Sequence, residues 1–166
     1  MKIYIIGSQS TGKTTLARYI SKKYNLPILS EVARIILSEK ELQIDSLRSD
    51  LDVVNSYQED IFHRQLEVEK GKDSFVSDRS FDFLVYAAQY SQIGANIFNS
   101  KEYKDYVISL KDKDTFIFFI RPSKATLKQD GVRETLDWDN VLQIDGMVKF
   151  LLEISAGAGN IIGDTF

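Results

Sequence analysis

Residues 5–15, Ile-Ile-Gly-Ser-Gln-Ser-Thr-Gly-Lys-Thr-Thr, constrain this chain more than any other stretch. Lys2-Ile3-Tyr4-Ile5-Ile6 reads as a buried strand that runs straight into the first glycine. After the lysine, Leu16, Ala17, Tyr19, Ile20 and Tyr24 continue at helical spacing. The segment between, Gly7-Ser8-Gln9-Ser10-Thr11-Gly12-Lys13-Thr14, fits G-x-x-x-x-G-K-[ST]. Glycines at both ends allow backbone angles that a Cβ obstructs. The amides between them can then turn inward and cradle an anion, and the following helix adds the positive end of its dipole. Lys13 supplies a point charge for β- and γ-phosphates, and the Thr14 hydroxyl is the expected Mg²⁺ ligand. Residues 7–15, Thr15 included, are therefore the expected contacts to a nucleotide. A chance glycine-rich turn is the competing reading, and the strand–loop–helix context speaks against it.

The rest of the composition narrows the setting. A chain of 166 residues suggests one domain over 1–166, large enough for a substantial core. There is no cysteine, which excludes disulfides and thiolate metal sites. No basic-then-apolar signal segment opens the chain, and no apolar run approaches the roughly 20 residues that span a bilayer. A cytoplasmic setting without membrane contact is expected. The net charge of −3 gives no global attraction to nucleic acid, although a local basic patch stays open.

Apolar strand candidates alternate with helical stretches, which signals an α/β fold with a parallel sheet. Strands are expected at about 2–6, 26–29, 74–77, 115–120 and 160–163. Helices are expected over 13–24, 31–39, about 50–70, 81–91, 103–110 and 139–154. In the long one, Leu51, Val54, Tyr57, Ile61 and Leu66 form a stripe; in the last, Val141, Leu142, Ile144, Val148, Leu151 and Leu152 do. Segment 121–138 is polar, opens with Arg121-Pro122 and follows the strongest strand, on the side where open α/β sheets bind ligands. It reads as a flap or lid, with an ordinary surface loop as the alternative. The chain stops three residues after the fifth strand candidate, where a helix would often follow. Either the fold is minimal or the sequence is cut short.

Three further motifs could carry chemistry. In Phe75-Val76-Ser77-Asp78-Arg79-Ser80 an apolar strand ends in an aspartate. Asp78 is placed to orient Mg²⁺ directly or through water, and Arg79 to reach a substrate or the transferred phosphoryl. The alternative for Asp78 is a cap on the helix starting near Phe81, for which Ser80 is the better candidate. Glu31 and Arg34, after the second strand, share one helical face; they suit an acceptor hydroxyl and an acceptor phosphate or carboxylate, or else a surface ion pair. Arg133, with Arg121, is the cation that the flap could bring over the phosphates. Leu127-Lys128-Gln129-Asp130 imitates a guanine-reading motif but has Leu127 at its first position, and Phe81 stands where a GTPase places glycine. Arg79 occupies the place of a motor ATPase's water-activating glutamate. His63, the only histidine, reads as packed or solvated, and Tyr86, Tyr90 and Trp138 as core more than base-stacking aromatics.

Together these parts resemble the NadR-type ribosylnicotinamide kinases and a broader set of bacterial and phage P-loop proteins labelled as AAA domains. The matching parts are the G-x-x-x-x-G-K-T loop, Glu31-x-x-Arg34, the strand ending in Asp78-Arg79, and Asp130-Gly131-Val132-Arg133. The resemblance covers about residues 1–164. It implies a three-layer P-loop NTPase fold, with five parallel strands in kinase-type order 2-3-1-4-5 and helices on both faces. It implies ATP·Mg²⁺ as phosphoryl donor, Glu31 and Arg34 in an acceptor pocket within about 30–70, and Arg133 in a lid over 121–138. NadR-type enzymes carry Asp-Thr-Asp where this chain has Ser77-Asp78-Arg79, and Asp-Arg there is similar to nucleoside and nucleotide kinases.

The expected function is thus an ATP-dependent phosphotransferase acting on a nucleoside-, nucleotide- or ribosylnicotinamide-like molecule. Lys13, Asp78, Arg79, Arg133 and Glu31 carry catalysis, Glu31, Arg34 and Arg79 meet the acceptor, and Thr14 and Asp78 hold the metal. Two alternatives remain: a kinase of polynucleotide or modified-DNA hydroxyls, which needs a basic groove, and a regulatory module that binds nucleotide without transferring phosphate.

Overall fold

The structure is a computed structural model that describes residues 1–30, 32, 35–36, 50–124, 137–155 and the backbone of 161–162. Its centre is β1 (Lys2–Ile6), whose apolar run lies between two parallel neighbours. On one side β3 (Phe75–Ser77) pairs with Lys2, Ile3 and Tyr4, and β2 (Ile28–Leu29) pairs with β3. On the other side β4 (Thr115–Phe119) pairs with the whole of β1. The order across these strands is β2-β3-β1-β4, and beyond β4 a two-residue segment, β5 (Ile161–Ile162), pairs parallel with Ile117 and Phe118. Buried on both faces, such strands are near-continuously apolar, as parallel sheets require.

Alternation along β1 sends its side chains to two separate cores. Ile3 and Ile5 meet Ala17 and Ile20 of α1 (Lys13–Tyr24), together with Val76. Tyr4 and Ile6 face the larger core, built with α2 (Leu51–Glu69), α3 (Phe83–Tyr90), α5 (Lys101–Ser109) and α6 (Trp138–Ser155). The short α4 (Gly94–Asn99) links α3 to α5. Helices therefore cover both faces of a parallel sheet, as the alternating pattern predicts. Among the described residues no helix is long and apolar enough to cross a membrane.

Several expectations shift. The second strand shrinks to Ile28–Leu29, because only these residues pair with Val76 and Ser77. The helix expected from Phe81 begins at Phe83, after a turn in which the Phe83 and Leu84 amides bond to the Ser80 and Phe81 carbonyls. The helix expected over 103–110 starts at Lys101, where the Ser100 hydroxyl accepts from the Tyr103 amide as an N-cap. The six-residue α4 before it has too few turns to show a hydrophobic period. Tyr19, Tyr24, Leu51 and Leu142, read as core by spacing, are exposed. Tyr19 and Tyr24 instead flank the Lys23 ammonium, at 5.6 and 5.4 Å from their ring centres. The helix expected over 31–39 lies mostly outside the described residues; Val32, Ile35 and Ile36 are helical within it.

Candidate active site

The carboxyl ends of β1 and β3 open on the same edge of the sheet, where open α/β proteins bind ligands. After β1 the chain turns through Gly7 (φ 142°), Ser10 (φ 59°) and Gly12 (φ 86°). Left-handed φ at Gly12 suits a residue without Cβ. At Gly7 a Cβ would also collide with the Ile120 carbonyl, so the loop lies tight against the end of β4. Helix α1 then starts at Lys13 with no acidic residue in its first turn and no side-chain cap. Its positive end is left for an outside anion.

Two candidate metal ligands meet here. The Thr14 hydroxyl donates to Asp78 Oδ2 at 2.6 Å, across 64 positions of sequence. Asp78 thus faces the phosphate loop and is not spent as a cap on α3, whose N-cap position is Asp82. The Lys13 ammonium folds back onto the Ser8 carbonyl at 2.5 Å, and the Thr11 hydroxyl donates to the same oxygen at 3.0 Å.

Arg79 lies beside the loop. Its guanidinium sits 5.3 Å from the centre of the Tyr86 ring, and the Tyr86 hydroxyl donates to Gln9 Oε1 at 3.4 Å. Tyr57 of α2 is close enough for the Arg79 charge to oppose the rise that burial imposes on its phenol pKa. Arg79 thus lies near the Tyr86 ring of α3, and its charge is felt at Tyr57 of α2, on the side where the acceptor region is expected.

Asp82 belongs to no motif visible in the sequence. Its side chain is fully buried, and its Oδ1 accepts from the Ser80 amide at 2.7 Å. Burial pushes its pKa up; the Arg79 and Lys13 charges and the Ser80 and Gly7 amides oppose that rise. One carboxylate thus lies among the loop's first glycine, its lysine and the arginine of the turn. Aspartates are common in turns, so its spacing alone gave no sign of this.

Arg121 is engaged elsewhere: its Nε and Nη2 both lie 2.7 Å from Asp145 Oδ2 on α6, and its guanidinium lies 5.4 Å from the Phe119 ring centre. His63 is exposed, with Nε2 3.9 Å from Glu59. Glu31, Arg34 and Arg133 lie outside the described residues, as do positions 125–136 of the expected lid and 37–49 of the expected acceptor region.

Residues 2–155 match a family described as AAA domain. The chain belongs to this AAA domain family. Among solved structures it is similar to the NadR protein in complex with NR, at 20% identity and a TM-score of 0.72, covering 99% of this chain and 47% of that one. It is also similar to deoxyadenosine kinase from M. mycoides with bound dATP, at 20% identity and a TM-score of 0.64, covering 98% and 89%. A third likeness is to shikimate kinase from Acinetobacter baumannii in complex with shikimate, at 11% identity and a TM-score of 0.55, covering 99% and 84%. The chain thus spans about half the length of the NadR protein. No curated protein matches it. At these identities the likeness establishes a three-layer P-loop kinase-like fold with a parallel sheet.

Proposed function

We propose that this single domain is an ATP-dependent phosphotransferase, passing the γ-phosphoryl group to a hydroxyl or phosphate of a nucleoside-, nucleotide- or ribosylnicotinamide-like small molecule. The observation that carries this reading is the 2.6 Å contact between Thr14 and Asp78, which joins the phosphate loop to the end of β3 in one site beside Arg79. Fold neighbours solved with NR, with dATP and with shikimate support a small acceptor. The five-stranded order 2-3-1-4-5 belongs to the same reading and is supported by the pairing of Ile161–Ile162 with β4.

Residues 7–15 would hold the triphosphate. Lys13 would leave the Ser8 carbonyl for the β- and γ-phosphates. Mg²⁺ fits the donor set at Thr14 and Asp78, which are hard oxygens lying side by side. Among the described residues no group of three His, Cys, Asp or Glu could cage a metal alone. Magnesium characteristically takes only one or two protein ligands and draws the rest from phosphate and water. When bound, the cation neutralises charge on the phosphate oxygens. Arg79 would place its guanidinium where charge develops on the transferred group or on the acceptor. Glu31 or Asp78 would orient the nucleophile, Arg34 would pair with the acceptor, and Arg133 in the lid over 121–138 would close the site against water. Alignment and charge neutralisation suffice for phosphoryl transfer, which needs little covalent help from the protein. A cytoplasmic setting, where ATP and nucleosides meet, goes with this reading.

The test is incubation with γ-labelled ATP and a panel of nucleosides, nucleotides, nicotinamide riboside and DNA. Label in a small molecule is expected. Label confined to DNA would replace the reading with a polynucleotide kinase. Nucleotide binding with no labelled acceptor would make the chain a regulatory module.

A further inference from the structure

Glu69 closes α2 as a buried carboxylate, an expensive side chain to place in a core. Three donors converge on it. The Tyr4 hydroxyl reaches Oε2 at 2.6 Å; Gln65 Nε2 and the Tyr106 hydroxyl reach Oε1 at 2.5 and 3.1 Å. Tyr106 has one hydroxyl hydrogen, and here it goes to Glu69. The 3.0 Å contact between Tyr106 Oη and Ser80 Oγ must then be a donation from Ser80. Gln65 Nε2 also lies 3.4 Å from Ser77 Oγ. Ser77 Oγ donates to the Arg79 carbonyl at 2.7 Å and accepts from the Arg79 amide at 3.4 Å. One arm ends on the Arg79 backbone itself and the other on the hydroxyl of its neighbour Ser80. One arm runs Glu69–Tyr106–Ser80, the other Glu69–Gln65–Ser77–Arg79.

We infer that Glu69, through Tyr106 and Gln65, is a positioning residue that fixes the Ser77–Ser80 turn so that the Arg79 guanidinium meets the acceptor side of the site. The inference rests on the kinase reading for what Arg79 does, and on geometry alone for how the turn is held. Replacing a buried ionic group with apolar side chains of similar volume often leaves stability unchanged or raises it. Stability by itself therefore gives no reason for Glu69, and the turn at the end of both arms does. The anchor comes from another element: Glu69 is the last residue of α2 and stands ten positions before Arg79 in sequence.

The test compares Tyr106→Phe and Glu69→Gln with a control, Tyr103→Phe, which removes a hydroxyl from a buried tyrosine on the same helix outside this chain of bonds. Hydrogen exchange of a peptide spanning residues 75–83 reads the turn without activity, and steady-state kinetics read Arg79. Tyr106→Phe should speed exchange in that peptide about ten-fold, the worth of a hydrogen bond near a charged group. It should lower kcat/KM for the acceptor by a similar factor and leave the Kd for Mg·ATP unchanged. On an Arg79→Ala background it should lower kcat/KM no further. Unchanged exchange and kinetics in Tyr106→Phe would overturn the inference, as would equal loosening in Tyr103→Phe. If Glu69→Gln does not fold, Tyr106→Phe carries the test alone. If the wild-type chain labels no acceptor while Tyr106→Phe still loosens the turn, the kinase reading falls and the positioning of the turn stands.

Discussion

The phosphate loop and the Asp78–Asp82 turn adjoin at the contact between Thr14 and Asp78 but are built in different ways. The loop is backbone chemistry within one short stretch. Gly7, Ser10 and Gly12 take left-handed or extended positive angles, and Lys13 and Thr11 bond within the loop to Ser8. The turn is held by side chains from afar. Tyr4 bonds Glu69 across 65 positions, Tyr106 bonds Glu69 across 37, and Ser80 bonds Tyr106 across 26. A contiguous device can hold the phosphates common to every nucleotide. A device assembled from several elements can be retuned at any of them, which suits the half of the site proposed to meet the acceptor.

If that division is right, substitutions on the two sides should have separable effects. Lys13→Ala should show the largest loss, about 10³-fold in turnover, because under the proposed function it removes the charge that would meet the transferred group. It should also weaken ATP binding measured by calorimetry. Arg79→Ala should lower kcat/KM for the acceptor about 10²-fold while leaving the Kd for Mg·ATP nearly unchanged. Equal damage to ATP affinity from both variants would break the comparison.

A smaller effect should follow pH. Burial holds the Glu69 pKa above the ordinary carboxylate range, although Tyr4, Gln65, Tyr106 and the Lys2 charge oppose the rise. The folded state therefore binds that proton more tightly than the unfolded chain does. The effect of Glu69 on stability is therefore most favourable below its unfolded pKa and worsens as pH rises through the raised one. Urea midpoints of wild type and Glu69→Gln should drift apart across that window, with wild type losing ground as pH rises. Parallel curves would show that Glu69 titrates normally. The smallest effect lies outside both halves. Asp50 Oδ1 accepts from the Asp52 and Val53 amides at 3.0 and 3.3 Å, so Asp50→Ala should destabilise by about 1 kcal/mol without changing kinetics.

The same contrast explains what could be read from the sequence. The phosphate loop was legible because strand, glycines, lysine and threonine follow one another, and each type has its own reason at its place. Asp78 was legible because an apolar strand ends on it. The central strands showed themselves as apolar runs, since parallel strands are covered on both sides. Glu69 and Gln65 were not legible. On a helix they look like ordinary solvated residues, and the tyrosines that make their burial tolerable lie on β1 and α5. Asp82 was hidden for a related reason: its neighbours at Gly7 and Lys13 come from the loop, far back in the chain. Helical spacing also overreached at Tyr19 and Tyr24, because α1 covers the sheet through the narrower face of Ala17 and Ile20. Local patterns thus revealed what local geometry builds, and missed polar groups whose partners arrive only with the fold.

The claim at the centre is that Thr14 and Asp78 act on one metal-bound nucleotide. A double-mutant cycle tests it: ATP affinity of wild type, Thr14→Val, Asp78→Asn and the double variant, by calorimetry with Mg²⁺ and again with a chelator. Each single substitution should weaken Mg·ATP binding about ten-fold or more. The double variant should be no weaker than the worse single, a coupling of about 1.4 kcal/mol, and all differences should vanish in chelator. Additive losses, or losses that persist without the metal, would contradict the account.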